Sequence, residues 1–193
     1  MEINLDGIEG LYWRLANNWF FNVPVENFNS RPIKYLEIGT LYGANLITVS
    51  QTYGLHTESE LHCVDPWEDY DAYDEYKGEQ PNIYETFQRN IDRFGIRGKI
   101  REHRGYSHKV VQEFDDGFFD LIYVDGNHEP EYVLEDAVLC FRKLKQGGIM
   151  IFDDYGWGGF NRTLRGIEGF LLGYSFRIKI LGIQSTQIFI QKL

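Results

Sequence analysis

Between residues 33 and 153, short continuous apolar runs alternate with segments whose apolar residues recur every three or four positions, and this alternation restricts the fold more than any other feature. Runs at 33–38, 60–65, 99–103, 119–125 and 148–153 read as strands; the segments 43–53, 81–94, 107–114 and 130–144 read as the helices between them. Such an order requires a parallel sheet with right-handed crossovers and helices on both faces.

The tail departs from that rhythm. A helix expected at 160–172 is followed by two strand-like runs, 176–181 and 186–191, separated by a few residues around Gly182, a connection short enough to demand an antiparallel pair. The expected fold class is therefore α/β, a doubly wound, Rossmann-like sheet of seven strands, mostly parallel, with a C-terminal antiparallel hairpin. A chain of 193 residues with 43% hydrophobic composition suits one core covered on both faces, so residues 1–193 are read as a single domain. Leu5, Ile8, Leu11, Tyr12, Leu15 and Trp19 recur at helical steps and predict an amphipathic N-terminal helix within 1–22. That helix would cover the protein's own sheet or pair with a second copy in a homo-oligomer.

Charge narrows the partners. A net charge of −10 and a pI near 4.9 argue against nucleic acid or an anionic membrane surface, both of which would be repelled. A small neutral or cationic ligand fits better. Cys63 and Cys140 fall in a predicted strand and helix and are too few for a disulfide framework, which suits a reducing compartment. Residues 1–6 lack the basic start and apolar segment of a secretion signal, and no apolar run approaches the roughly 20 residues needed to span a bilayer. A cytoplasmic location is expected.

Residues 33–45, I-K-Y-L-E-I-G-T-L-Y-G-A-N, place the first strand before a glycine-bearing turn with Glu37 in it. A dinucleotide fingerprint asks for glycine at the positions held by Gly39, Leu41 and Ala44, so its middle glycine is missing. Glu37, Asp65 at the end of the second strand and Asp125 at the end of the fourth would converge on one rim of the sheet. A carboxylate-lined crevice disfavours pyrophosphate and suits a ligand bearing sulfonium and ammonium groups, which points to S-adenosylmethionine. Asp65 stands where an acid can accept hydrogen bonds from both ribose hydroxyls. Each acid alone also reads as a helix cap or a solvated strand end. In R-G-Y-S-H, residues 104–108, Tyr106 and Ser107 are candidates for the adenine end, with Ser107 equally readable as a helix cap. The acidic, aromatic stretch 67–80 is either a solvated loop or a lid, in which Trp67, Tyr70, Tyr73 and Tyr76 would stack on a ligand.

Two motifs carry the chemistry, F-D-L-I-Y-V-D-G-N-H-E at 119–129 and L-K-Q-G-G-I-M-I-F-D-D-Y-G-W at 144–157. Asp125, Asp153 and Asp154 would meet at adjacent strand tips, where three carboxylates repel unless protons or a cation intervene. An all-oxygen set favours a hard ion such as Mg²⁺. Because neighbours in a strand point to opposite faces, Asp153 and Asp154 can both be ligands only if the strand has ended before or between them. His128, three residues after Asp125, is suited to take a hydroxyl proton, with packing or capping as its structural alternative. His56, His62, His103 and His108 lack a comparable set of acids and are read as structural or surface residues. Rival readings are a cofactor-binding module without turnover and an NAD-dependent oxidoreductase on a similar sheet.

On these residues, 33–157 resembles the class I S-adenosylmethionine-dependent methyltransferases. V-D-P-W, the acidic insertion, R-G-Y-S-H, V-D-G-N-H and F-D-D-Y-G-W look like the methyltransferase domain 24 group, similar to catechol O-methyltransferases and to macrocin- or mycinamicin-type sugar O-methyltransferases. The resemblance implies that Glu37, Gly39, Thr40, Gly43 and Asn45 line the methionine end of the cofactor and that Asp65 holds the ribose. It implies Mg²⁺ at Asp125, Asp153 and Asp154, and a catalytic role for His128 alongside Asp125. The expected activity is O-methylation of a small hydroxylated acceptor such as a sugar or catechol, with residues 155–157 shaping the acceptor pocket.

Overall fold

The structure, a computed structural model, describes residues 3–69, 76–156 and 162–193. Seven strands form one sheet: β1 (Lys34–Ile38), β2 (Glu60–Asp65), β3 (Ile100–Arg104), β4 (Phe119–Val124), β5 (Leu144–Phe152), β6 (Ile178–Gln184) and β7 (Gln187–Lys192). Their spatial order is β3-β2-β1-β4-β5-β7-β6. The first five run parallel, while β7 pairs antiparallel with β5 and β6 antiparallel with β7. The helices are α1 (Ala44–Gln51), α2 (Gln80–Arg93), α3 (Ser107–Val110), α4 (Pro130–Lys143) and α5 (Arg162–Tyr174). This is the doubly wound, mostly parallel sheet with a closing hairpin that the sequence pattern requires.

Two cores follow from the period-2 alternation of the strands. Tyr35, Leu61, Cys63, Leu121, Tyr123, Ile149, Ile151 and Phe189 face α1, α2 and the N-terminal segment, where Trp19 and Tyr53 are fully buried. Leu36, Ile38, Val64, Ile122, Val124, Met150, Phe152, Ile188 and Ile190 face α4 and α5. Both cysteines are free and buried. α4 and α5 pack closely because Gly166 has no side chain: a Cβ there would lie 2.6 Å from the Pro130 carbonyl oxygen. Among the described residues, no helix is long and apolar enough to cross a membrane.

The expected N-terminal helix is corrected. Residues 3–15 form no helix, and only Ala16–Trp19 make a 3-10 turn. Gly7 and Gly10 explain the break, since their φ values of 83° and 90° are incompatible with a right-handed helix. The apolar repeat instead divides its work: Leu15, Ala16 and Trp19 enter the core, whereas Leu11, Tyr12 and Trp13 stay exposed.

Trp67 is a second correction. It is only 1% exposed, its Nε1–H donates to the Leu41 carbonyl at 3.0 Å, and its ring lies 4.8 Å from Phe87 and 5.1 Å from Tyr84. It is a core residue that fastens the end of β2 to the first turn, not part of a lid. Tyr70 and Tyr73 lie outside the described residues.

Candidate active site

Parallel strands bring their carboxyl ends to one edge, and here the ladder continues one residue past the strands. Gly39 N–H donates to Val64 O, Asp125 N–H to Ile38 O, and Asp153 N–H to Val124 O, at 2.9–3.0 Å. The tips of β1, β4 and β5 are thereby locked side by side at the mouth of a cavity of about 820 Å³. Gly39 permits the approach: its φ is +78°, and a Cβ would come within 2.0 Å of the Asp125 carbonyl oxygen.

Of the residues singled out in the sequence, Glu37, Gly39, Thr40, Asn45, Asp65, Tyr106, Ser107, Asp125, His128, Asp153 and Asp154 line this one cavity. Gly43 does not. Its φ of +84° caps α1, and a Cβ would meet the Phe87 ring at 2.9 Å, so its role is to let the turn pack on α2. Glu37 belongs to β1 itself rather than to the turn. Its Oε2 accepts from Tyr35 OH at 2.6 Å and from Asn45 Nδ2 at 2.9 Å. Burial raises its pKa to about 7, and those hydrogen bonds only partly offset the effect.

Asp65 holds the first turn together. Oδ2 accepts the N–H groups of Thr40 and Leu41 at 2.8 and 3.0 Å, and Oδ1 accepts that of Trp67 at 2.8 Å. Burial pushes its pKa up against those three bonds. The clamp supports Leu41 in the left-handed region, φ +50°, where the dinucleotide fingerprint would have glycine. Ser107 is the first residue of α3 rather than its cap, and its hydroxyl bonds the buried carboxylate of Asp136, whose pKa burial raises to about 7.

At the other end of the cavity the acids cluster. β5 ends at Phe152, and Asp154 adopts φ +55°, which breaks strand alternation and turns both aspartates toward the crevice. Tyr123 OH donates to Asp153 Oδ2 at 2.5 Å and lies 3.2 Å from Asp125 Oδ2. Arg14 bridges the pair: its Nε donates to Asp153 Oδ1 at 2.6 Å and its Nη2 to Asp154 Oδ1. His128 Nε2 stands 3.1 Å from Asp154 Oδ2. Burial, then the charges of Asp153 and Asp154, push the Asp125 carboxyl well above its usual range.

Asp125, His128 and Asp154 place donor atoms within 4.8 Å of one another, a grouping that shares Asp125 and Asp154 with the expected set, while Arg14 bonds both Asp153 and Asp154 and Tyr123 bonds Asp153. Two carboxylates and an imidazole can hold a divalent cation, although the imidazole makes the set softer than the all-oxygen one expected for Mg²⁺. Sequence reasoning missed Arg14 and Tyr123. The Y-L-E pattern at 35–37 repeats as Y-V-D at 123–125, a signal that could have found the tyrosine, whereas nothing local marks Arg14. His108, read as structural or surface, also lines the cavity, as does Tyr76 from the acidic stretch.

A sheet of this order, with an acid-lined crevice at the tips of β1, β2, β4 and β5, is a Rossmann-like fold whose ligand site lies at the carboxyl ends of its strands. The family described as a methyltransferase domain matches residues 36–155, and the chain belongs to that family. An uncharacterised protein of Acanthamoeba polyphaga mimivirus is 26% identical over 134 residues, 66% of this chain; the chain spans about half, 54%, of that relative's length. Among solved structures, the Podospora anserina methyltransferase PaMTH1, bound to SAH, superimposes with a TM-score of 0.63 at 16% identity, covering 97% of this chain and 91% of its own. MycE methyltransferase of the mycinamycin biosynthetic pathway, in complex with Mg and SAH, gives 0.59 at 17% identity over 92% and 49%. At such identities these likenesses concern the fold.

Proposed function

We propose that the protein methylates a hydroxyl oxygen of a small acceptor. The observation that carries the reading is His128 Nε2 at 3.1 Å from Asp154 Oδ2, across the same cavity from Glu37. S-Adenosylmethionine supplies a methyl group on a positively charged sulfur that departs as a neutral thioether. Glu37 offers the ammonium group a carboxylate, and Asn45, Thr40 and Gly39 complete that end. Asp65 uses three of a carboxylate's roughly four acceptor positions on backbone N–H groups, which leaves about one for a ribose hydroxyl. Tyr106, 36% exposed, and Ser107 border the adenine end.

His128 removes the acceptor's proton as its oxygen attacks, and Asp154 orients the ring and stabilises the imidazolium. The remaining acceleration comes from holding donor and acceptor in line. Asp125, His128 and Asp154 are the residues that would hold a magnesium ion, which would supply Lewis acidity at the acceptor oxygen. MycE, a neighbour in fold solved in complex with Mg, SAH and mycinamycin VI, supports a small-molecule acceptor and an accessory metal. Free, buried cysteines accord with a reducing compartment.

Transfer from isotopically labelled S-adenosylmethionine to a panel of sugars and catechols, with and without chelator, tests the reading. A labelled methyl ether is the expected product. Tight SAH binding without transfer to any acceptor would favour a binding module instead. Activity that survives chelator would assign the proton step to His128 alone.

A further inference from the structure

Residues 10–15 cross the cavity mouth as a strap fastened at both ends. On one side the Glu9 N–H donates to Asn90 Oδ1 at 3.0 Å, Asn90 Nδ2 donates to Glu9 O at 2.9 Å, and the Glu9 carboxylate pairs with Arg89 and Arg93. Gly10 lies flat on Tyr42, where a Cβ would come within 2.3 Å of the ring. On the other side Ala16 and Trp19 are fully buried, and Ala16 N–H donates to Thr48 Oγ1 at 3.2 Å. Between these anchors Tyr12 and Trp13 line the cavity yet remain 44% and 62% exposed. The strap's inward tie is Arg14, fixed to Asp153 and Asp154.

Clustered carboxylates repel unless protons or a cation intervene, and Asp153 and Asp154 both reach the Arg14 guanidinium. A planar guanidinium meets that need for two acids at once, as a lysine ammonium would not. We propose that Arg14 is a positioning residue that fills the cation place at the β5 tip and so holds Tyr12 and Trp13 as the wall against which the acceptor lies. This proposal rests on the methyl-transfer reading above. Its occupant is an acceptor with a flat, weakly polar face, such as an aromatic ring or the C–H face of a pyranose, suited to exposed aromatic side chains. Arg14 and a divalent cation then compete for Asp154, so loss of the guanidinium opens the acids to metal.

Mn²⁺ titration followed by electron paramagnetic resonance tests the competition without turnover. Arg14→Gln is expected to bind Mn²⁺ about tenfold tighter than wild type, with Arg14→Lys between them. Arg14→Lys, which keeps the charge, decides the matter if the glutamine variant does not fold. Equal affinity in wild type and variant overturns the competition. In steady-state assays Arg14→Lys and Trp13→Ala should each raise the acceptor KM about tenfold, with much smaller changes in kcat and in SAH affinity. A fall in kcat at constant KM overturns the wall. If the wild-type protein methylates no acceptor, the methyl-transfer reading fails, while the Mn²⁺ titration still decides the role of Arg14.

Discussion

Two strand tips in this sheet use the same device and reach different ends. At β1, Tyr35 donates to the carboxylate two residues ahead, Glu37; at β4, Tyr123 stands in the same relation to Asp125. The two motifs are offset by two residues along the ladder, with Tyr35 opposite Leu121 and Glu37 opposite Tyr123. Glu37 is a single buried acid bonded by neutral donors, and burial raises its pKa to about 7. Asp125 instead joins Asp153 and Asp154, and the Arg14 guanidinium pairs with the latter two while His128 Nε2 lies 3.1 Å from Asp154. One isolated acid is served by neutral donors, whereas the clustered acids draw in a guanidinium from a distant segment.

The largest expected effect lies at the clustered end. His128→Ala should lower kcat by about 10²–10⁴-fold while SAH binding, measured by calorimetry, changes little. A comparable kcat for the variant would remove the catalytic distinction between the two ends.

Glu37 gives the next effect, and its sign is fixed by its raised pKa. The folded carboxyl holds its proton to about 7, against 4.5 for the unfolded chain. Between those values the native state binds more protons, so stability of the ligand-free protein falls as pH rises, by up to about 3 kcal/mol from this group. Denaturant unfolding of Glu37→Gln across that window should show a shallower decline, with the other buried acids of raised pKa, Asp136, Asp125, Asp153 and Asp65, contributing to what remains. An ammonium-bearing ligand favours the ionised carboxylate, so SAH affinity should increase as pH rises through 7 in the wild type. In Glu37→Gln that rise should disappear, and a rise that persists would place the ammonium elsewhere.

The smallest effect separates the two tyrosines. Tyr123→Phe strips a donor from Asp153 and should cost about 1–3 kcal/mol in urea unfolding. Tyr35→Phe should cost less, because Asn45 Nδ2 still reaches Glu37. Equal losses would mean that the clustered acids are no more demanding than the single one.

Much of this molecule is legible along the chain because its causes are local. Strand periodicity, the short β6–β7 connection and acids at strand ends follow from residues within a few positions of one another, and parallel strands must bring their carboxyl ends to one edge. The errors arose where local pattern and tertiary demand disagreed. Leu11, Tyr12, Leu15 and Trp19 have helical spacing, yet Gly7 and Gly10 take left-handed conformations, and the segment is drawn across the cavity. Trp67 sits in an acidic stretch that looks solvated, but its ring fills the space beside Phe87.

The sequence by itself determined the alternation of strands and helices and the placing of Glu37, Asp65 and Asp125 along one rim, since parallel strands bring their carboxyl ends to the same edge. Only the tertiary structure decided that Asp153 belongs to Arg14 and Tyr123 while His128 joins Asp154 and Asp125. That choice depends on a guanidinium 139 residues away in sequence from Asp153 and on one left-handed turn at Asp154. Charge balance between distant segments is settled by distance in space, which local spacing does not encode.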